Sequence, residues 1–394
     1  MSSTNRAATL PEQKTGNPLK ELLAYGQSVW LDYIRRDLLT SGELQRLVKE
    51  DGLRGMTSNP TIFEKAISGS KDYAQQLQEL AKRKDLDAKG VFENIAIKDI
   101  QDATDVLRPV YDESKKHDGY VSLEVSPTLA HKTKDTLDEA RRLWKTVNKP
   151  NTMIKVPGTE EGIPAFRQLI SEGININVTL LFAQDVYEKV AWAYIEALEA
   201  RVKSGGDISS IASVASFFVS RIDTLIDGMI ADLLKDSKLA SDRQALLRSL
   251  QGKVAIANAK LAYQSYKEIF SGPRWEALAA RGAQTQRVLW ASTSTKNPAY
   301  RDVLYAEELI GADTVDTMPP ATIDAFRDHG KVRASLDENV DDARRVMNDL
   351  ERAGISMKMV TDQLTDEGVK LFDDAFAKLL AAVEKSVKQA GAAS

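Results

Sequence analysis

Short apolar or β-branched runs recur along the chain, each followed by a longer segment with helical apolar spacing, and this alternation constrains the fold more than any single residue does. Eight runs read as strands, at 28–34, 53–57, 120–125, 152–156, 176–182, 208–214, 287–292 and 314–317. Most successive starts lie about 25 to 32 residues apart, the size of a strand plus one crossover helix in a parallel sheet. Two gaps are longer, after the second run and after the sixth, and each has room for extra helices. Asn59-Pro60, Ser126-Pro127 and Asn297-Pro298 put a capping side chain directly before a proline at a first helical position. Leu137, Ala140, Leu143, Trp144 and Val147, and likewise Val186, Val190, Tyr194, Ala197 and Leu198, recur at the spacing of a helix facing a sheet.

Eight such units favour an α/β fold of the (β/α)8 TIM-barrel type with inserted helices. An open doubly wound sheet is the rival, but no Gly-x-Gly-x-x-Gly follows any strand and no phosphate loop is present. Residues 1–16 read as a disordered segment without the apolar core of a secretory signal, and the cytoplasm is the default location. Residues 17–330 read as the barrel and 331–394 as C-terminal helices packed on it. In the last of these, Val369, Phe372, Phe376, Leu379, Leu380, Val383 and Val387 form one apolar stripe, which packs on the barrel or, alternatively, binds a partner.

Composition narrows the chemistry. Lys and Arg number 53 against 57 Asp and Glu, a net charge of -4, so no cationic excess is available for nucleic acid. The longest uncharged stretch, 208–220, is 13 residues, short of the roughly 18 a membrane-spanning helix needs. There is no cysteine, which removes disulfides, thiolate nucleophiles and cysteine-bound metals. The three histidines, His117 in a turn, His131 in a helical pattern and His329 at a helix end, read as surface residues. In an enzyme of this composition, acid, base and nucleophile must then come mainly from Asp, Glu, Lys, Ser, Thr or Tyr. No cluster has metal-ligand spacing.

A parallel strand buried on both faces is nearly all apolar, so each ionisable residue inside one needs a reason. Asp32, Glu124 and Lys155 interrupt the first, third and fourth runs, and Asn175, Asn177 and Thr179 alternate along the fifth. In a barrel with its chemistry at the strand C-terminal ends, these residues converge. A buried ammonium is costly, and its neutral form is a nucleophile for carbonyls. The alternative is a Lys155–Glu124 ion pair that only sets interior packing. Asp32 and Glu124 taken singly also fit ion pairs or helix caps, and Asn177 and Thr179 fit hydrogen-bonded interior filling. Arg221, after Ser216-Phe-Phe-Val-Ser, and Lys296, in Thr-Ser-Thr-Lys-Asn after Ala291-Ser292, sit beside hydroxyls in a way that suits phosphate, or else are solvated helix-end charges.

Six ordered motifs then resemble the transaldolase family in its longer bacterial form: Trp-Leu-Asp at 30–32, Thr-Ser-Asn-Pro-Thr at 57–61, Ser-Leu-Glu-Val-Ser at 122–126, Ile-Lys-Val-Pro-Gly-Thr at 154–159, Gly-Ile-Asn-Ile-Asn-Val-Thr-Leu-Leu-Phe at 173–182 and Ser-Phe-Phe-Val-Ser-Arg at 216–221. The resemblance implies a (β/α)8 barrel, no metal or organic cofactor, sugar-phosphate substrates, and transfer of a dihydroxyacetone unit from sedoheptulose 7-phosphate to glyceraldehyde 3-phosphate in the non-oxidative pentose phosphate pathway. It implies Lys155 as the Schiff-base lysine, Glu124 and Thr179 as holders of a proton-shuttling water, and Asp32 as the base for the donor C4 hydroxyl. Asn59 and Asn177 match positions that bind the dihydroxyacetone part, with Thr57 and Ser216 lining the pocket, Phe218 beside it and Arg221 on the phosphate. The shorter forms carry an arginine shortly after an Ala-Ser pair; here that loop offers Ser292 and Lys296, and Lys296 is the expected second cation. A class I aldolase releasing free dihydroxyacetone is the runner-up, a catalytically silent sugar-phosphate barrel the reading from another class, and both monomer and homodimer remain open.

Overall fold

The computed structural model describes residues 16–392; the expectation of disorder over 1–16 falls, except for Gly16, outside the described residues. Eight parallel strands close into a barrel in sequence order: β1 Gln27–Asp32, β2 Gly55–Thr57, β3 Tyr120–Glu124, β4 Thr152–Pro157, β5 Ile176–Leu181, β6 Ser213–Phe218, β7 Arg287–Ala291 and β8 Thr314–Met318, with β8 pairing back onto β1. Helices cover the outside, so the strands are buried on both faces, as their apolar composition demands. Seven strands coincide with the expected runs to within a few residues. The sixth does not: it begins at Ser213 rather than 208, because Ile208 and Ile211 are buried as anchors of a turn ahead of the sheet. Ser216 is therefore inside a strand rather than beyond one.

The two long gaps hold helices Pro60–Ser68, Ala74–Leu80 and Ala88–Glu113, and then Ser220–Leu233, Ser241–Leu250, Val254–Ile269 and Pro273–Ala279. Asn59 caps the first of these, its Oδ1 accepting from the Ile62 amide at 3.0 Å. The other two Pro-led caps differ from expectation. Ser126 precedes a single 3-10 turn and its hydroxyl pairs with Thr128. Asn297 opens only a turn, since Pro298 is followed by no helical run before Leu304–Glu308. After Gly330 come helices Val340–Arg352 and Met357–Ala392. The long C-terminal helix lies against the 60–68, 74–80, 88–113 and 220–233 helices and against β5, at the end of the barrel where the strands finish. Among the described residues no helix is long and apolar enough to cross a membrane.

Register sorts the barrel interior into levels. Near the strand starts, Arg287 donates to Ser28 Oγ and to Asp118, which also accepts from Ser28 and the Trp30 indole. His117 is drawn into this floor and is only partly exposed, its carbonyl accepting from Arg287, whereas His131 is exposed in the turn before the Thr133–Val147 helix. Above the floor the Trp30 indole fills the centre beside Tyr120; a Cβ on Gly55 would meet that indole at 2.5 Å, so glycine makes the room. Asn177 comes next, donating to Ser122 and accepting from Ser216 at 2.7 Å. Asn175 stays low, bonded to the Pro150 and Thr152 carbonyls and the Ala212 amide, and so does not share the mouth with Thr179.

Candidate active site

At the strand C-terminal ends, a cavity of about 350 Å3 is lined by Asp32, Thr57, Asn59, Lys155, Thr179, Ser216, Phe218, Arg221, Ser292 and Lys296. Ten of the twelve expected site residues thus line one cavity. The other two adjoin it: Glu124 is the β-ladder partner of Lys155 and meets its Nζ at 3.4 Å, and Asn177 is the partner on the other side. Lys155 and Glu124 side chains are 6% and 7% exposed, so this is a buried pair. Lys155 also donates to the Ser58 carbonyl at 3.2 Å. Glu124 Oε2 and Thr179 Oγ1 are both buried without a hydrogen bond, unlike the interior polar atoms of the level below.

Asp32 is held by a short relay. Thr57 donates to its Oδ1 at 2.7 Å, and the Thr57 hydroxyl pairs in turn with Thr317 at 2.7 Å. Burial pushes the Asp32 carboxyl above the usual carboxylate range, against the pull of Lys155, the Thr57 bond and Lys296. Burial likewise raises Glu124, opposed by Lys155. Two carboxyls that hold protons more tightly than in water stand beside an amine, an arrangement suited to moving protons near neutral pH.

The opposite wall is cationic. Arg221 lies at the start of the 220–233 helix with its guanidinium over the Phe218 ring, 5.2 Å from the centroid. Lys296 reaches the same cavity from the β7 loop and donates to Ser294 at 2.7 Å. Partial burial lowers the pKa of both, and for Lys296 the nearby Arg221 charge adds to it. Among the described residues neither cation has a carboxylate within ion-pair distance. Ser292, at φ +57, turns the chain sharply after β7 and pairs with the Ser220 hydroxyl at 2.9 Å. Two adjacent cations ringed by hydroxyls and without a carboxylate in direct contact, with Glu367 and Asp32 acting on them only from further off, make a wall chemically suited to a dianion such as phosphate.

Sequence reasoning missed several residues of this cavity. Thr317 obeys the rule used for the others, a polar residue inside a buried strand, and was legible. Thr61, Ile62, Lys65, Ser294 and Pro319 lie on adjoining loops and the first turns of the 60–68 helix. Phe372 comes from the C-terminal helix, its ring centroid 5.6 Å from Lys155 Nζ; within an apolar stripe nothing marked it. A larger cleft, about 1160 Å3, runs between the C-terminal helix and the ends of β4 and β5, but its lysines Lys189 and Lys358 are paired to Asp185 and Asp362 and no reactive set converges there.

Comparison with known proteins agrees with this geometry. The profile of the Transaldolase/Fructose-6-phosphate aldolase family matches residues 29–383. A protein named Transaldolase from Trichodesmium erythraeum is 49% identical over 376 residues, covering 95% of this chain and 98% of its own. Transaldolase 2 from a Nostoc species is 50% identical over 379 residues, 94% of this chain and 98% of its own, and Transaldolase from a Parafrankia species is 48% identical over 374 residues, 95% and 99%. The matched span takes in both the barrel mouth and the C-terminal helix that crosses it, and the chain belongs to the transaldolase/fructose-6-phosphate aldolase family.

Proposed function

We propose that the chain transfers a dihydroxyacetone unit from sedoheptulose 7-phosphate to glyceraldehyde 3-phosphate, giving erythrose 4-phosphate and fructose 6-phosphate, through a Schiff base on Lys155. The observation that carries this reading is the convergence of a buried Lys155–Glu124 pair and Asp32 on one cavity whose far side holds two cations without a carboxylate in direct contact. The near-full-length relatives named Transaldolase support the transfer reaction over simple release. A place in the non-oxidative pentose phosphate pathway, in the cytoplasm, follows from the same reading.

The steps use this chain's groups in order. Lys155 as the free amine attacks the ketone carbon, and Glu124, at 3.4 Å, is the acceptor for the ammonium proton. Loss of water from the carbinolamine needs a proton delivered to the leaving hydroxyl; Glu124 and Thr179, both with unsatisfied buried oxygens, are the groups to hold the shuttling water. Asp32 then takes the proton of the C4 hydroxyl, the C3–C4 bond breaks, and its electrons flow to the iminium nitrogen as an enamine. The raised pKa of Asp32 makes it a stronger base for that step. The acceptor aldehyde enters, and the sequence reverses. Asn177, fixed between Ser122 and Ser216, and Asn59, whose Oδ1 is committed to its cap, present amide groups to the donor hydroxyls. Arg221 and Lys296 hold the phosphate.

Borohydride reduction in the presence of fructose 6-phosphate, followed by peptide mass mapping, should find a dihydroxyacetone adduct on Lys155. An adduct on another lysine, or none, sinks the proposal. The family description also includes an aldolase, and omission of erythrose 4-phosphate separates the two: a transferase consuming fructose 6-phosphate slows sharply without the acceptor, an aldolase does not.

A further inference from the structure

The C-terminal helix reaches the cavity by one face. Gly368 sits against Leu180 and Arg221: a Cβ there would lie 3.0 Å from Leu180 Cδ2 and 3.7 Å from the guanidinium. Leu180 itself has φ +60, an unusual left-handed backbone for a branched residue, at the point where β5 shifts register against β6 and Thr179 turns inward. One turn after Gly368, Phe372 is 7% exposed and faces Lys155. One turn further, Phe376 stacks edge-on against Phe92, which meets Phe63 in the same way. Phe372 is therefore clamped between two anchored turns, directly over the amine that carries the intermediate.

We propose that Phe372 decides the fate of the enamine, keeping water from its nucleophilic carbon so that the acceptor aldehyde captures it. This rests on the Schiff-base reading of Lys155. Two routes compete at that intermediate. In transfer, the enamine carbon forms a bond to the aldehyde carbon, the aldehyde oxygen takes the proton held by Asp32, and the resulting iminium is hydrolysed by one water to ketose and free Lys155. In release, the same carbon takes a proton from water, the hydroxide left behind adds to the iminium carbon, the carbon–nitrogen bond breaks to give dihydroxyacetone and free Lys155, and the proton still held by Asp32 passes to the freed amine. The second route needs a water at the enamine carbon, and the Phe372 ring stands where the helix would otherwise leave the Lys155 nitrogen open.

Supplying fructose 6-phosphate with erythrose 4-phosphate lets sedoheptulose 7-phosphate and free dihydroxyacetone be quantified in one reaction. In Phe372→Ala the ratio of released to transferred product should rise about ten-fold, a 1.4 kcal/mol change in relative barriers. Phe372→Leu, which refills most of the volume, should give an intermediate rise of about three-fold. A ratio unchanged in both, with the two products falling together, overturns the assignment and leaves Phe372 a packing residue. If the alanine variant does not fold, the leucine variant decides by the same ratio. Borohydride trapping on the same samples keeps the two ideas apart: no Lys155 adduct in the wild type overturns the Schiff-base reading itself, whereas an adduct with an unmoved ratio overturns only the role of Phe372.

Discussion

The barrel holds a buried ion pair at each end, and the two are built to opposite specifications. At the floor, Asp118 accepts from Ser28, Trp30 and Arg287, and Arg287 in turn donates to Ser28 and to the His117 carbonyl. Burial alone would push the Asp118 carboxyl up, but Arg287 and Ser28 overcome it and hold the group below its ordinary value. At the mouth, Glu124 Oε2 meets Lys155 Nζ only as a 3.4 Å ion pair, with no hydrogen bond to that oxygen, and burial wins, so its pKa is raised. A carboxylate with both oxygens hydrogen-bonded and a guanidinium against it is held in one protonation state; one left short of partners can change state. The floor is a fastener and, on the proposed reading, the mouth is a reagent, although the residue classes are the same.

Substitutions can break this contrast, and the largest effect expected is on turnover. Lys155→Met should abolish transfer by about 10⁴-fold or more, over 5 kcal/mol of barrier, while thermal denaturation shows stability largely kept, because Glu124, already raised by burial, can take up a proton once its partner is gone. If Lys155→Met unfolds the protein instead, the mouth pair is structural like the floor. Arg287→Met gives the reverse test. It strands a buried Asp118 charge, and denaturant titration should show a loss of about 3–5 kcal/mol. Arg221→Ala should raise KM for fructose 6-phosphate by about 100-fold, the loss of a charge-assisted phosphate contact, and leave KM for unphosphorylated donors nearly unchanged. Equal changes for both donors would remove Arg221 from the phosphate site.

The smallest effect sharpens the comparison from outside the cavity. Asp316 on β8 is buried, accepts from Thr293 at 2.8 Å, leaves its second oxygen unbonded, and has its pKa raised by burial to about 7. Its folded pKa exceeds the unfolded value, so the fold binds the extra proton. The stabilisation is complete below about pH 4 and is lost as pH rises through about 7. Denaturation curves should show roughly 2 kcal/mol less stability at pH 7.5 than at pH 5 from this group, and Asp316→Asn should flatten that slope. An unchanged slope in the asparagine variant would trace the pH dependence to another group.

Much of this was legible before any coordinates, and the reason is physical. A charge in a strand buried on both faces is so costly that its presence marks the position, which is how Asp32, Glu124 and Lys155 stood out. The barrel followed from period alone, except at β6, where Ile208 and Ile211 are as apolar as strand residues but anchor a turn. The floor was not legible, because Asp118 lies in a loop ahead of β3 and its partner Arg287 is 169 residues away. Phe372 was not legible either. An apolar stripe looks the same whether it covers leucines or a reactive amine, and only the path of the helix across the mouth distinguishes Phe372 from Leu379.

Trp30, wedged into the space left by Gly55, has a kinetic consequence. With the indole filling the bore from beneath, the cavity lies at the strand C-terminal ends, where the C-terminal helix spans part of the top. On the proposed reading, the departing and the arriving aldose phosphate share this end of the barrel and the same two cations. If Lys155 carries the donor fragment as proposed, the acceptor waits for the first aldose phosphate to leave those cations; initial-rate plots for the two substrates should then run parallel, and each aldose phosphate should compete with the other for the loaded enzyme.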